Sequence, residues 1–275
     1  MKMVAIVILN YLNYRDTIEC MDSIDGKNYS LKGIVIVDNG SHNESYQILK
    51  KKYKKRDDVL VVRAGKNYGY AKGNNIGIAL ARKRYRTDFV YVVNNDVIFM
   101  DPQFFDKLLD VYTDDVGIIG SEIVLKNGGV QPQWSAYVEL KEIIHNYIRI
   151  YLTYKDREVW GWALPDLYPQ NRKKMLHGCG LLFTPSYFEK YKGFYPHTFL
   201  YAEEEILYQM CKRYGLKQVY VKETYIYHKE DQSSEMSFQN QKKIMQKYTF
   251  KSYKYVVWWA LKNSIIENIK SILRH

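Results

Sequence analysis

Residues Phe89-Val-Tyr-Val-Val-Asn-Asn-Asp-Val97 form an apolar, β-branched run that stops at three polar side chains, Asn94, Asn95 and Asp96. Such a run reads as a buried strand. Open α/β sheets bind ligands just beyond the carboxyl ends of their strands. A carboxylate there is well placed to hold a divalent cation against a phosphorylated group. Two earlier segments have the same form: Met3-Val-Ala-Ile-Val-Ile-Leu-Asn10-Tyr11 and Ile34-Val-Ile-Val-Asp38-Asn39-Gly40-Ser41. Three strand ends carrying Asn or Asp predict one site assembled from several loops.

Working outward, strand-like and helix-like patterns alternate. Strands are expected at 3–9, 33–37, 58–63 and 88–94, with helices at Tyr14–Ser23, 43–55 and 73–84 between them. This order predicts a mixed, mostly parallel central sheet with helices on both faces. Asn43-Glu-Ser marks one helix start and Gly73-Asn74-Asn75 opens the next. Beyond Asp96, Pro102–Tyr112 reads as a helix and Val116–Val124 as a strand. Residues 126–175, rich in Trp, Tyr, Pro and Lys, read as an irregular cover, in which Trp134, Trp160 and Trp162 stack on a sugar or pack a lid. Met175–Thr184 reads as a strand returning to the core. Glu203–Tyr214 is a helix closed by Gly215, and Lys217–Tyr227 a strand ending at His228. From residue 236 the pattern turns helical, with Trp258, Leu261, Ile265, Ile269 and Ile272 at helical spacing. The expected division is 1–98, 99–235 and a C-terminal basic, amphipathic helical segment, 236–275.

The 275 residues suffice for one sizeable core with a smaller appended lobe. Six prolines and no low-complexity tract argue against a long disordered linker. Cys20, Cys179 and Cys211 lie far apart, which fits a reducing compartment. The N-terminus does not read as a signal peptide, and no apolar run approaches the ~20 residues needed to span a bilayer. A cytoplasmic location is expected. The net charge of +11 is concentrated in the last forty residues, where eight basic side chains face one acid, Glu267. Nucleic acid and an anionic membrane surface both suit such a tail.

Taken together, the pieces resemble the family-2 glycosyltransferases of the GT-A (Rossmann-like) fold, close to the bacterial rhamnosyl- and galactosyltransferase-like members. They are Ile6-Val-Ile-Leu-Asn-Tyr11, Val37-Asp-Asn-Gly-Ser41, Asn67-Tyr-Gly-Tyr-Ala-Lys-Gly-Asn-Asn-Ile-Gly77, Asn94-Asn-Asp96, Gly178-Cys-Gly-Leu-Leu-Phe183, Phe199-Leu-Tyr-Ala-Glu-Glu-Glu205 and His228 followed by Ser233. Each is weak alone; their order and spacing are specific.

The resemblance implies a nucleotide-sugar site. Asp38 matches the position that binds the pyrimidine base, where a carboxylate accepts the uracil or thymine N3–H; it also reads as a turn cap. Asn10 and Tyr11 end the neighbouring strand and line the same pocket, Tyr11 equally as core. Asn67, Gly73 and Asn74 belong to a small-residue loop entering a helix, where the backbone approaches a ligand and negative charge is favoured. Asn94 and Asn95 stand on the nucleotide side. Asp96 matches the residue that places Mn²⁺ or Mg²⁺ on the donor diphosphate, and His228 the second metal ligand. Asn94 replaces the first acid of the family's Asp-x-Asp and is a weaker ligand for a hard cation. Glu204 aligns with the catalytic base, with Glu203 as the alternative, and Glu205 reads as a solvated helix residue. Three adjacent carboxylates repel, which raises the pKa of one of them. They also read as an acidic first turn opposing the helix dipole.

The expectation is a metal-dependent, inverting hexosyltransferase. It takes a UDP- or dTDP-sugar donor and a saccharide or lipid-linked saccharide acceptor in surface-polysaccharide synthesis (capsule or cell wall), with peripheral contact to an anionic membrane. The tail equally suits packing on the core or on a second copy. A nucleotidyltransferase would need a basic phosphate-gripping motif, for which residues 6–16 offer only Arg15. A non-catalytic binding protein is disfavoured by Glu203–Glu205. Nucleic-acid binding is disfavoured by the absence of a recognisable module.

Overall fold

A computed structural model describes residues 3–155, 172–229 and 241–272. In chain order the elements are β1 (Val4–Asn10), α1 (Tyr14–Asp25), β2 (Leu31–Asp38), α2 (Ser45–Lys52), β3 (Val59–Arg63), α3 (Gly69–Tyr85), β4 (Val90–Asn94) and β5 (Val97–Phe99). They continue as α4 (Phe104–Asp110), β6 (Val116–Leu125), β7 (Trp134–Tyr137), α5 (Leu140–Tyr154), β8 (Arg172–Met175), β9 (Gly180–Phe183), α6 (Pro185–Phe188), α7 (Glu203–Tyr214), β10 (Lys217–His228) and α8 (Gln241–Ile272).

Eight strands form one sheet in the order β3-β2-β1-β4-β9-β6-β10-β5. β3, β2, β1 and β4 run parallel. β9 is antiparallel to β4 and β6, and β5 is antiparallel to β10. Strands β7 and β8 pair separately. The apolar runs of the parallel strands are buried on both faces, as doubly covered strands must be. Along β1, Val4, Ile6 and Ile8 enter one core with α1, α2 and α4, while Ala5 and Val7 enter the other with α3, α6 and α7. That alternation is the two-residue period of a strand. It puts helices on both faces, as expected.

Three expectations need correction. Helix α3 opens at Gly69, not Gly73, so Gly73 and Asn74 sit in its second turn, both buried. Its early start comes from the left-handed Gly69 (φ +81°), where an added Cβ would lie 2.3 Å from the Phe199 carbonyl oxygen. The expected irregular cover contains β7, the fifteen-residue α5 and β8. Ile143, Tyr147 and Ile150 of α5 pack onto the second core, which gives its helical period a buried face. Trp160 and Trp162 lie outside the described residues. Finally, Glu205, read as solvated, is buried.

Candidate active site

The carboxyl ends of β1, β2 and β4 lie side by side, with Asn10 opposite Asp38 and Leu9 opposite Asn94. Asp38 and Asn10 are fully buried. Asn10 Nδ2 donates to Asp38 Oδ2 at 2.8 Å, and the Ser41 amide donates to Asp38 Oδ1 at 3.0 Å. Arg63, ending β3, brings its Nε to 3.9 Å from the same Oδ1. Each carboxylate oxygen carries a second acceptor site, so Asp38 is oriented with capacity left over.

The chain of buried hydrogen bonds continues. Thr17 Oγ1 on α1 donates to Asn10 Oδ1 at 2.9 Å. Asn95 Nδ2 donates to the Asn13 carbonyl at 2.9 Å and to Thr17 Oγ1 at 3.3 Å. Asn95 therefore turns back onto α1 and fixes the turn that presents Asp96. Lys229, next after β10, donates to Asp16 at 2.5 Å and to Glu19 at 2.8 Å. Partial burial works against the Lys229 charge, but the hydrogen bonds to the two carboxylates outweigh it and hold the ammonium above its ordinary pKa. The end of β10 is thus tied to the same helix that orients Asn10 and Asn95.

His228 Nε2 lies 3.4 Å from Asp96 Oδ1, and both side chains are nearly buried. Pairing of His228 with Val97 and a hydrogen bond from the Lys229 amide to the Asp96 carbonyl set this juxtaposition. His228 Nδ1 is buried with no hydrogen-bond partner among the described residues. The Asp96 carboxylate suits Mg²⁺ or Mn²⁺, which fill their remaining positions with phosphate and water, and the His228 imidazole is the weaker partner for such hard cations. Among the described residues no group of three or more His, Cys, Asp or Glu is arranged for a metal. The His177 ring stands 6.1 Å from that of His228, and His177 Nε2 meets Gln131 Nε2 at 2.9 Å.

The acidic turn of α7 reaches the same strand ends through Gly178, whose neighbour Cys179 accepts from the Asn94 amide. Tyr201 and Ala202, just before it, adopt left-handed φ of 70° and 67°. Non-glycine residues held there cost about 1–3 kcal/mol each and cluster at functional sites. Glu204 Oε1 accepts from the Gly178 amide at 3.1 Å, and Tyr70 donates to the Gly178 carbonyl at 2.5 Å. Burial, with Glu204 beside it, keeps the Tyr70 hydroxyl protonated well above its usual range. Glu203 differs from Glu204. Burial first, then repulsion from Glu204, pushes its carboxyl up to about 8. A carboxyl raised this far favours its protonated form at neutral pH.

The loop before α7 is gripped from two sides. Tyr70 donates its amide to the Phe199 carbonyl at 2.8 Å. From α8, Tyr248 stacks on Phe199 (4.8 Å) and Ser252 Oγ donates to the Leu200 carbonyl at 2.9 Å.

The remaining expected residues border these clusters with partners of their own. Asn67 Oδ1 accepts from Asn39 Nδ2 and from the Gly69 amide, so it shapes the turn into α3. Gly73 packs against Leu9, where an added Cβ would lie 2.7 Å from the leucine Cδ1. Asn74 is fully buried, and neither side-chain polar atom has a partner among the described residues. Asn94 donates its amide to the Cys179 carbonyl at 2.9 Å, and Tyr11 is half-buried beyond β1. Sequence reasoning missed Thr17, Asn39, Tyr70, Gly178 and His177. Tyr70 and Gly178 stood inside the quoted motifs without a role, and Thr17 carried no signal at all.

Comparison with known proteins decides the family. The profile "Glycosyl transferase family 2" matches residues 4–172. The chain belongs to glycosyl transferase family 2. A curated member, the low-salt glycan biosynthesis hexosyltransferase Agl10 of Haloferax volcanii, is 31% identical over 93 residues, covering 34% of this chain and 27% of the relative. The chain thus matches about a quarter of that relative's length. Among solved structures, S. aureus TarS superposes with a TM-score of 0.55 at 17% identity, over 83% of this chain and 37% of TarS. GalNAc-T7, solved with UDP, GalNAc and Mn²⁺, superposes with a TM-score of 0.60 at 12% identity, over 83% of this chain and 44% of its own. These two likenesses establish the shared GT-A fold. No helix among the described residues is long and apolar enough to cross a membrane.

Proposed function

We propose that this family-2 member is an inverting hexosyltransferase that moves a sugar from a UDP- or dTDP-sugar to a saccharide acceptor. The observations that support the reading are the pairing of Asp96 with His228 and the hydrogen bond that holds Glu204 to Gly178. In this reading residues 1–98 form the nucleotide-sugar half. Asp38 accepts the N3–H of the pyrimidine, beside Asn10 and Tyr11. Asn94 faces the ribose or donor sugar. Asn67, Gly73, Asn74 and Asn95 serve the nucleotide by shaping and packing its surroundings. Mn²⁺ or Mg²⁺, held by Asp96 and His228, would neutralise the diphosphate; the Mn²⁺ bound by the GalNAc-T7 neighbour supports a divalent cation.

Glu204 acts as general base. It takes the acceptor hydroxyl proton as that oxygen attacks the anomeric carbon and the bond to the nucleoside diphosphate breaks. Glu203, whose carboxyl burial pushes up to about 8, is the poorer base at neutral pH and the alternative for this role. Residues 99–235 supply the acceptor side. A lipid-linked acceptor in bacterial surface-polysaccharide assembly, met at the inner face of the membrane, completes the proposal.

The test is donor hydrolysis with UDP- and dTDP-sugars in Mn²⁺ or Mg²⁺, following nucleoside diphosphate release. Release from one donor, abolished in Asp96→Ala, is the expected result. Nucleotide binding without release from any donor, with or without saccharide acceptors, would overturn it in favour of a binding protein of the same fold.

A further inference from the structure

The stripe of Trp258, Leu261, Ile265 and Ile269 on α8 does not face the core. Tyr253, Val256, Trp259, Ala260 and Asn263 make the buried side of this helix. Trp258, Leu261, Ile265 and Ile269 point outward, 39%, 41%, 57% and 50% exposed. At about 100° per residue these four fall within one arc of about 80°. Lys247, Lys251, Lys254 and Lys262 are also exposed and fall within or at the edge of that arc. Lysines hold the first half of the stripe and apolar side chains the second. Lys262 bridges the halves, its Nζ 3.8 Å from the centre of the Trp258 ring. The sole acid of α8, Glu267, is turned off this face and pairs with Lys212 of α7 at 3.3 Å. Alongside, α5 exposes Ile144, Ile148 and Tyr151, and Tyr151 touches Phe250 of α8.

We infer that this face of α8 docks on the surface of an anionic bilayer, lying in the plane of the headgroups. Interfacial helices combine these features: tryptophan and aliphatic side chains that enter the acyl boundary, and lysines that meet anionic lipid. Each lysine near such a surface contributes on the order of 1 kcal/mol. Charge decides between a bilayer and a second copy. A two-fold antiparallel pairing would lay the lysine half on the apolar half or leave it outside the seam, whereas an anionic bilayer takes up the apolar side chains and neutralises the lysines together. The lysine half is also the half that grips Phe199 and Leu200 through Tyr248 and Ser252. Docking therefore brings the loop leading to Glu204 close to the lipid surface. The inference names the partner of the proposed lipid-linked reaction, yet its test does not depend on catalysis.

The experiment is flotation of the full chain with phosphatidylcholine vesicles and with phosphatidylcholine–phosphatidylglycerol vesicles. Wild type should float with the phosphatidylglycerol vesicles and stay behind with the neutral ones. Ile265→Glu/Ile269→Glu and Lys247→Glu/Lys254→Glu should each weaken partitioning at least about tenfold. Both pairs are exposed, so circular dichroism and soluble donor hydrolysis should match wild type. Wild type that floats with neither vesicle, or variants that float as well as wild type, would overturn the inference. A concentration-dependent dimer in sedimentation, dissolved by Ile265→Glu/Ile269→Glu without vesicle binding, would assign the face to a second copy. Donor hydrolysis in the same samples reads the catalytic proposal separately.

Discussion

The Gly178 amide donates to Oε1 of Glu204 at 3.1 Å, and a Cβ added at Gly178 would lie 2.7 Å from that same oxygen. The glycine thus both orients the carboxylate and leaves room for it. Gly178→Ala should displace Glu204 and lower kcat with little change in nucleotide affinity. Glu204→Gln should lower kcat by roughly a hundred- to ten-thousand-fold, the range for a lost general base. Steady-state kinetics beside calorimetric titration of the nucleotide separates the two quantities.

Glu203 sets a pH dependence of stability. Its folded-state pKa, about 8, stands above the ordinary 4.5, so between those values the native chain holds a proton that the unfolded chain has lost. Stability from this group is full below about 4.5 and declines as pH rises to about 8. Glu203→Gln cannot ionise. Its Tm should therefore fall less steeply than that of wild type across this window, while the two profiles run parallel below it. Thermal unfolding at a series of pH values checks this.

The Asp96–His228 pair predicts a specific metal phenotype. Asp96→Ala and His228→Ala should each weaken Mn²⁺-dependent binding of the nucleoside diphosphate by more than about tenfold, with metal-free binding little changed. Titrations with Mn²⁺ and with a chelator measure both limbs.

Thr17 is the buried link between the strand ends. Thr17→Val keeps the shape but leaves Asn10 Oδ1 without its donor, which should cost about 1–3 kcal/mol in urea unfolding. Thr17→Ser should restore most of it. If the network also orients Asp38, the valine variant loses nucleotide affinity as well.

Much of this arrangement was legible in the chain itself. The strand ends at Asn10, Asp38 and Asn94 stood out because doubly buried strands are nearly continuous apolar runs, so their polar termini are conspicuous. The acidic turn at Glu203–Glu205 showed because three adjacent carboxylates open a helix at a matched position. What stayed hidden was partnership across long separations. Nothing local says that Thr17 serves Asn10, that Asn95 turns back onto α1, or that Tyr70 and Glu204 share the Gly178 peptide. The opening of α3 was misplaced because Gly69 reads as a loop residue until Phe199 is seen against it. In α8 the helical period was plain, but period alone does not say which face is buried. Tyr253, Val256, Trp259 and Ala260 make as good a stripe as the one that faces outward.

The two-sided grip on Phe199 and Leu200 changes what shortening this chain would do. Ending it before Gln241 would look like trimming a greasy appendage to obtain better-behaved material. It would also remove Tyr248 and Ser252, one jaw of the vice that keeps Tyr201 and Ala202 in their costly backbone shape. With that jaw gone, the loop is free to relax toward ordinary φ, and the turn carrying Glu204 drifts with it. The trimming would also bare the core that Tyr253, Val256, Trp259 and Ala260 cover, so that turn slackens and its backing opens together.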